Sequence, residues 1–145
     1  MIKSFKNDYQ FGTQEEEKIL NTINNYFKDN IKKVADKLCK FDFKGDNYIY
    51  ELKSRNNKYE TFPTTLIGKS KILKDFKQIF LFNFTDGLYY IEYDKYIFDS
   101  FKLDYFCRFR RIDYKDEAQL YYFIPIESLK PITKTKANYV VLNNT

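Results

Sequence analysis

The chain has 145 residues, of which 43% are hydrophobic and 20% aromatic, enough to bury one core, so we predict a single domain over residues 1–145. It contains no histidine, which excludes Ser-His-Asp, Cys-His, histidine-dependent nuclease and histidine-zinc chemistry together. The net charge of +5 suits a polyanionic partner, but 25 basic residues are mixed with 20 acidic ones. A soluble surface that is simply basic explains this balance nearly as well.

The chain shows no signal sequence and no apolar run long enough to span a membrane. We therefore expect an intracellular, cytoplasmic protein without a membrane partner. Cys39 and Cys107 are far apart in the sequence and form no C-x-x-C pair, which excludes a zinc ribbon and favours buried thiols over a disulfide.

The first predicted element is a helix over about residues 14–29. Apolar residues recur at helical spacing from Ile19 to Ile31, and Thr13 with Glu16 forms a capping-box pattern ahead of them. Glu16 projects at the end of the apolar stripe. It is either part of the cap or an acidic residue directed at a functional site.

A β-hairpin is predicted over residues 41–53, where apolar and polar residues alternate on both sides of Gly45-Asp46-Asn47. A turn centred on residues 46 and 47 places Asp42 opposite Glu51 on one face, with Lys53 pointing the same way. Two facing carboxylates repel each other unless a cation lies between them, and carboxylate ligands favour Mg²⁺ or Mn²⁺. The alternative interpretation is a solvated polar face with an ordinary ion pair.

A second helix is predicted from Pro63, as a first-turn residue, to about Lys77. Its start is suited to binding phosphate, and its lysines are suited to following a nucleic-acid backbone. Thr65 and Lys69 are candidate contacts there, although a solvated helix face explains Lys69 better. Arg55 is a further candidate, because strand parity puts it on the face of Glu51.

The second half of the chain is predicted to be mostly strands. A hairpin over residues 78–85 and 88–93 turns at Asp86-Gly87. Residues 94–111 combine aromatic residues with arginines, which indicates either a base-stacking surface or, the preferred interpretation, a strand with a buried aromatic face and solvated arginines. We also predict a strand over 121–126, a short helical turn over 127–132 and an irregular tail over 133–145. The arginines of the segment over residues 94–111 are Arg108, Arg110 and Arg111.

The sequence contains Asp42, followed after eight residues by Glu51-Leu52-Lys53. This pattern resembles the PD-(D/E)XK signature of the restriction-endonuclease-like nucleases, although Lys40-Phe41 and not proline precedes the aspartate. The similarity is to small members of this superfamily from large DNA viruses and phages, and it covers about two thirds of the chain, from Phe11 to the second hairpin. It includes residues beyond the motif: Ser54-Arg55, Tyr59, Pro63 to Gly68 and Lys71-Ile72.

The resemblance implies an α/β fold with a restriction-endonuclease-like core. Its elements would be an N-terminal helix, an antiparallel three-stranded meander that carries the D…ExK motif, a second helix and further strands. The activity implied is that of a Mg²⁺-dependent DNA endonuclease or structure-selective nuclease, located in the host cytoplasm if the protein is viral.

The resemblance also implies roles for individual residues. Asp42 and Glu51 would bind the metal, Mg²⁺ or Mn²⁺, with Glu16 as an outer ligand, and Lys53 would be the charged catalytic partner. Lys71 corresponds to a lysine beside the active site of the similar proteins. Tyr59, within the similar segment, joins the candidate nucleic-acid contacts.

Two other functions are compatible with the sequence. One is a nucleic-acid-binding protein that keeps the fold but does not cut, against which the intact Asp, Glu and Lys argue. The other is a viral or phage accessory protein that uses its aromatic surface for interactions. The sequence does not identify the substrate. It is compatible with duplex, flap, four-way-junction and single-stranded DNA and with RNA. A homodimer would supply two sites for two strands, but the sequence shows no dimer signature.

Overall fold

The computed structural model describes residues 2–36, 39–107, 109–111, 114–115 and 118–134, and of residues 2–13, 109–111 and 114–115 it describes the backbone alone. Single turns of 3-10 helix lie at Lys69–Lys71 and Ile126–Ser128. The helices and strands in chain order are α1 (Ile2–Phe27), β1 (Lys32–Lys33), β2 (Phe43–Lys44), β3 (Ile49–Ser54), β4 (Thr64–Gly68), β5 (Gln78–Phe84), β6 (Gly87–Glu92), α2 (Lys95–Asp99), β7 (Lys102–Phe106), β8 (Phe109–Arg111), β9 (Tyr114–Lys115), β10 (Gln119–Pro125) and β11 (Lys130–Thr133).

A six-stranded mixed sheet, with the strand order β1-β2-β3-β5-β6-β11, forms the middle layer. Strands β1 to β3 are an antiparallel meander, β3 runs parallel to β5, and β5 and β6 form an antiparallel hairpin. Every residue of β5 is buried, as expected for a strand covered on both faces. The motif-bearing strand β3 therefore lies beside the most buried strand of the sheet.

The two faces of this sheet are covered by different layers. Side chains of α1 pack on one face together with Tyr50 and Leu81, whereas Phe80 and Phe82 face the three-stranded antiparallel sheet β4-β10-β7. This division follows from the alternation of side chains along a strand, which sends odd and even residues of β5 to opposite faces. The architecture is mixed α/β. None of the described helices is both long and apolar enough to cross a membrane.

The structure confirms the register predicted for the first hairpin. Phe43 lies opposite Tyr50 and Lys44 opposite Ile49, and Asp46 is an exposed turn residue. The antiparallel meander, the hairpin at Asp86-Gly87 and the strand near residues 121–126 are confirmed as well.

The predicted helix from Pro63 to Lys77 is wrong. Residues 64–68 form β4, and a single 3-10 turn follows before the chain reaches β5. Thr65 and Ile67 are buried whereas their neighbours are partly exposed, which is the alternation of a strand with one covered face. The β-branched residues of this segment favour a strand once a partner is present, and β10 supplies that partner.

The other corrections concern the ends of elements. Helix α1 runs through Thr13 and ends at Phe27, before the predicted Asp29, so Thr13 does not cap it. The helical turn expected over residues 127–132 is limited to Ile126–Ser128, because the chain then enters β11 and pairs with β6. Thr133, expected to start an irregular tail, belongs to β11, and residues 135–145 lie outside the described residues.

The predicted arginine cluster is described only in part. Arg110 and Arg111 lie in β8, whose backbone alone is described, and Arg108 lies outside the described residues. The strand with a buried aromatic face predicted over residues 94–111 is wrong in its described part, because residues 95–99 form α2 and both Tyr105 and Phe106 of β7 are exposed. The placement of the arginine side chains is untested.

Candidate active site

Glu51 is the centre of an ion-pair cluster on β3. Glu51 is only 8% exposed. Its Oε1 lies 3.2 Å from Lys53 Nζ and 3.5 Å from Lys71 Nζ. Lys53 follows two residues later on the same strand, so it shares the face of Glu51 as strand parity predicts. Lys71 comes from the 3-10 turn after β4. The structure thus brings together three of the predicted site residues.

The loop that carries Lys71 is held in place by Gln78, which sequence reasoning did not single out. The buried Gln78 side chain accepts a hydrogen bond from the Leu73 N–H at 2.7 Å and donates one to the Lys71 carbonyl at 2.9 Å. A buried polar side chain of this kind is expected to be hydrogen-bonded. The signal available in the sequence was an amide residue at the start of a largely apolar strand.

Asp42 lies directly before β2 and is fixed by three hydrogen bonds. Its N–H donates to the Tyr50 carbonyl at 3.0 Å, and its carbonyl accepts from the Val34 N–H at 3.1 Å. The side chain is exposed, and its Oδ2 accepts a hydrogen bond from the Leu52 N–H at 2.8 Å. The Asp42 carboxylate therefore borders the peptide group that joins Glu51 to Leu52.

The side chains of Asp42 and Glu51 have different surroundings. Asp42 lines a cavity together with Leu52 and Ser54, on the α1 side of the sheet. Glu51 contacts Lys53, which lines a different cleft. Asp42 and Glu51 were expected to share one face of the hairpin. In the structure their carboxylates have different neighbours. The reason is that the regular ladder ends at Phe43, and the Asp42 side chain hydrogen-bonds to the free strand backbone instead.

Glu16 lies in the same cavity as Asp42. This cavity has a volume of about 760 Å³ and lies between α1, β1 and the first hairpin. The Glu16 carboxylate forms an ion pair with Lys33 Nζ at 2.5 Å. Among the described residues no group of three or more acidic or cysteine side chains is arranged to hold a metal ion.

Arg55 and Thr65, two of the predicted nucleic-acid contacts, hold the two sheets together. Arg55 Nε donates to Thr65 Oγ1 at 3.1 Å, and Arg55 Nη2 donates to the Leu66 carbonyl at 2.7 Å. The guanidinium also lies 5.6 Å from the centre of the Phe82 ring. Thr65 is buried in β4, so the exposed helix start on which its phosphate contact depended does not exist.

Of the other two predicted nucleic-acid contacts, Tyr59 is held in the fold and Lys69 is exposed. The Tyr59 ring stacks on Tyr89 at 4.1 Å, and its hydroxyl donates to the Ile126 carbonyl at 2.8 Å, so this residue anchors a loop to the core. Lys69 is exposed on the 3-10 turn next to Lys71 and remains a surface candidate.

Asp29, predicted only as the end of the first helix, holds the turn of the first hairpin. It is 3% exposed, and its carboxylate accepts hydrogen bonds from the Asn47 N–H and Nδ2, the Tyr48 N–H and the Tyr50 hydroxyl, at 2.7 to 3.1 Å. Burial acts to raise the pKa of Asp29, but the hydrogen bonds from Tyr50, Asn47 and Tyr48 outweigh it and hold the pKa below its usual value. No local pattern connects residue 29 with this turn.

No protein-family model, curated protein or solved structure matches this chain. The chemistry of the site is therefore inferred from its own residues.

Proposed function

We propose that this protein is a metal-dependent nuclease of the restriction-endonuclease-like type, which hydrolyses phosphodiester bonds in DNA. The observation that carries the proposal is the placement of Glu51 and Lys53 side by side on the third strand of an antiparallel meander, with Asp42 at the end of the neighbouring strand. A helix precedes this meander, and the next strand of the sheet runs parallel to β3. The PD-(D/E)XK resemblance implies the same helix and meander.

Asp42 and Glu51 are suited to a hard divalent cation. Asp42 hydrogen-bonds to the N–H of Leu52, the residue next to Glu51, and carboxylate oxygens are the ligands that Mg²⁺ and Mn²⁺ prefer. The contacts described above use Oδ2 of Asp42 and Oε1 of Glu51, so each carboxylate has a second oxygen outside them. A bound Mg²⁺ or Mn²⁺ would activate a water molecule and polarise a phosphate oxygen.

Lys53 supplies positive charge next to the Glu51 carboxylate. Its ammonium group has three N–H donors, so it can contact Glu51 and still donate to a phosphate oxygen on which negative charge develops. Lys71 contacts the same Glu51 oxygen and is 40% exposed in its side chain, which suits it to a neighbouring phosphate. Glu16 and Asp42 share a cavity, so an outer role for Glu16 requires it to leave Lys33.

A second candidate is a nucleic-acid-binding protein of the same fold that does not cut. One observation favours it: Glu51 is already neutralised by two lysines, and no third carboxylate among the described residues completes a metal site.

Cleavage assays with Lys53→Ala separate the two candidates. We expect labelled DNA to be cut in Mg²⁺ or Mn²⁺ but not in chelator, and Lys53→Ala to slow cutting by about 100-fold or more, because the lost charge acts mainly in the transition state. The melting temperature should change little, because Lys71 still pairs with Glu51. The panel includes duplex, flap, four-way junction, single strand and RNA.

The control is Lys95→Ala, which removes an exposed lysine from α2 and should leave cutting unchanged. Equal activity of wild type and Lys53→Ala would exclude the proposed role of Lys53 and with it the nuclease site. Binding without any cutting in either metal would favour the second candidate.

A further inference from the structure

A small cleft opens beside Lys53 where β3 meets the three-stranded sheet. Its volume is about 180 Å³, and its described lining contains three cationic side chains and no acidic one. The aromatic part of the lining comes from β7 and β10. We call this the β10 cleft; its charged and aromatic residues are Lys53, Arg55, Lys71, Phe106 and Tyr121.

The aromatic wall of the β10 cleft is partly open to solvent. Phe106 is 42% exposed, and its ring meets Tyr121 edge to face, with the ring centres 6.0 Å apart and the planes at 88°. Aromatic rings beside cationic groups are the combination by which proteins bind single-stranded nucleic acid, because the ring stacks on a base while the cation contacts phosphate.

Gly68 keeps the space beside Tyr121 open. Its φ of −61° and ψ of 134° are accessible to any residue, so the backbone does not require glycine. A Cβ at this position would lie 3.7 Å from Tyr121 Cε1 and 3.8 Å from Ser70 Oγ, which is ordinary van der Waals contact. Neither strain nor a clash therefore accounts for the glycine. A larger side chain there would occupy the cleft.

We infer that the β10 cleft binds one unpaired nucleotide of single-stranded DNA, with the base against Tyr121 and the phosphate against Lys53 and Lys71. The cleft is smaller than the roughly 300–1,000 Å³ of pockets for drug-sized ligands, so it can admit a single unpaired base but not a duplex. In a duplex both faces of each base are stacked, and a base must leave the stack to reach such a pocket. This inference rests on the proposed function, because Lys53 belongs to both sites, and it names the substrate as a single strand or an unpaired end.

The test compares the binding of a fluorescein-labelled oligothymidine of about twelve nucleotides with that of a blunt duplex of equal length, by fluorescence anisotropy in chelator. We expect the wild type to bind the oligothymidine about 10-fold more tightly than the duplex. Gly68→Val, which fills the cleft, and Tyr121→Leu, which removes the stacking ring, should each weaken oligothymidine binding about 10-fold or more. Tyr96→Leu is the matched control, since it removes a 90% exposed ring from α2, and it should bind as the wild type does.

The inference is overturned if the wild type binds the duplex at least as tightly, or if both cleft variants bind oligothymidine as the wild type does. Tyr121→Leu decides alone if Gly68→Val does not fold. Cleavage of the same two substrates in Mg²⁺ separates this inference from the proposed function. Duplex cutting without a preference for the single strand overturns the cleft and supports the nuclease. Cleft-dependent binding without cutting supports the cleft and counts against the nuclease.

Discussion

Asp29 links the stability of the first hairpin to pH. Its pKa is lowered in the folded protein because hydrogen bonds to its ionised form outweigh the effect of burial. A carboxyl group with a lowered pKa stabilises the fold fully above its unfolded pKa, which is about 3.9, and this contribution is lost as the pH falls through the folded value. The candidate site therefore depends on a carboxylate that is not part of it.

We expect Asp29→Asn to lower the free energy of unfolding by about 2–4 kcal/mol at pH 7, because the amide group cannot accept all the hydrogen bonds that the buried carboxylate accepts. The deficit should shrink below about pH 4, since the wild type loses the contribution of the carboxylate and asparagine does not titrate. Urea unfolding at several pH values measures both effects. Asp46→Asn, an exposed position in the same turn, is the control. A deficit that does not change with pH would contradict the proposed linkage.

Among the elements, the β2–β3 hairpin is fastened to the segment after α1 by a close approach at Gly45. A Cβ at Gly45 would lie 2.1 Å from Asp29 Oδ2 and 2.8 Å from the Asp29 carbonyl oxygen. The Asp46 N–H donates to that same carbonyl at 2.7 Å. The hairpin therefore needs a residue without a side chain at this point to bring Asp29 into its turn.

We expect Gly45→Ala to destabilise the fold by about 2–4 kcal/mol, because the added methyl group must displace the Asp29 carboxylate from its hydrogen bonds. Amide exchange at residues 46–48 should accelerate more than exchange in β5 and β6. Gly68→Ala is the matched control, since its methyl group meets only ordinary contacts and should change stability little. Similar melting temperatures for Gly45→Ala and wild type would show that the turn tolerates a shift of Asp29.

At the scale of the whole molecule, metal binding should be linked to folding. If Asp42 and Glu51 bind the proposed cation, Mn²⁺ or Mg²⁺ should raise the melting temperature by mass action, and chelator should lower it again. A ligand at about 100 times its Kd adds about 2.7 kcal/mol, which is measurable by calorimetry.

Asp42→Asn tests this linkage. The metal-dependent gain and cleavage should both disappear, while the apo protein should be about as stable as wild type, because asparagine can still accept the Leu52 N–H. If Asp42→Asn instead destabilises the apo protein, and divalent ions leave the wild-type melting temperature unchanged, then Asp42 is a structural hydrogen-bond acceptor and the metal site is wrong.

The parts of the fold that the sequence determined are those specified by neighbouring residues. Alternation of apolar and polar residues around two turn-rich clusters predicted both hairpins, including the pairing of Phe43 with Tyr50. The period of two along a strand also placed Lys53 and Arg55 on the face of Glu51, away from Leu52. These features depend on local backbone geometry, which is specified by residues that are close together in the sequence.

Tertiary structure decided the features that depend on distant partners. Residues 64–68 are a strand because β10, far along the chain, pairs with them, and no local pattern shows that partner. Asp29 reaches the turn at Asn47 only because the end of α1 packs beside the hairpin. The carboxylates of Asp42 and Glu51 have separate surroundings because the β2 ladder ends at Phe43. The direction of the Asp42 side chain is thus set by where its strand stops pairing, which is a property of the assembled sheet and not of the local sequence.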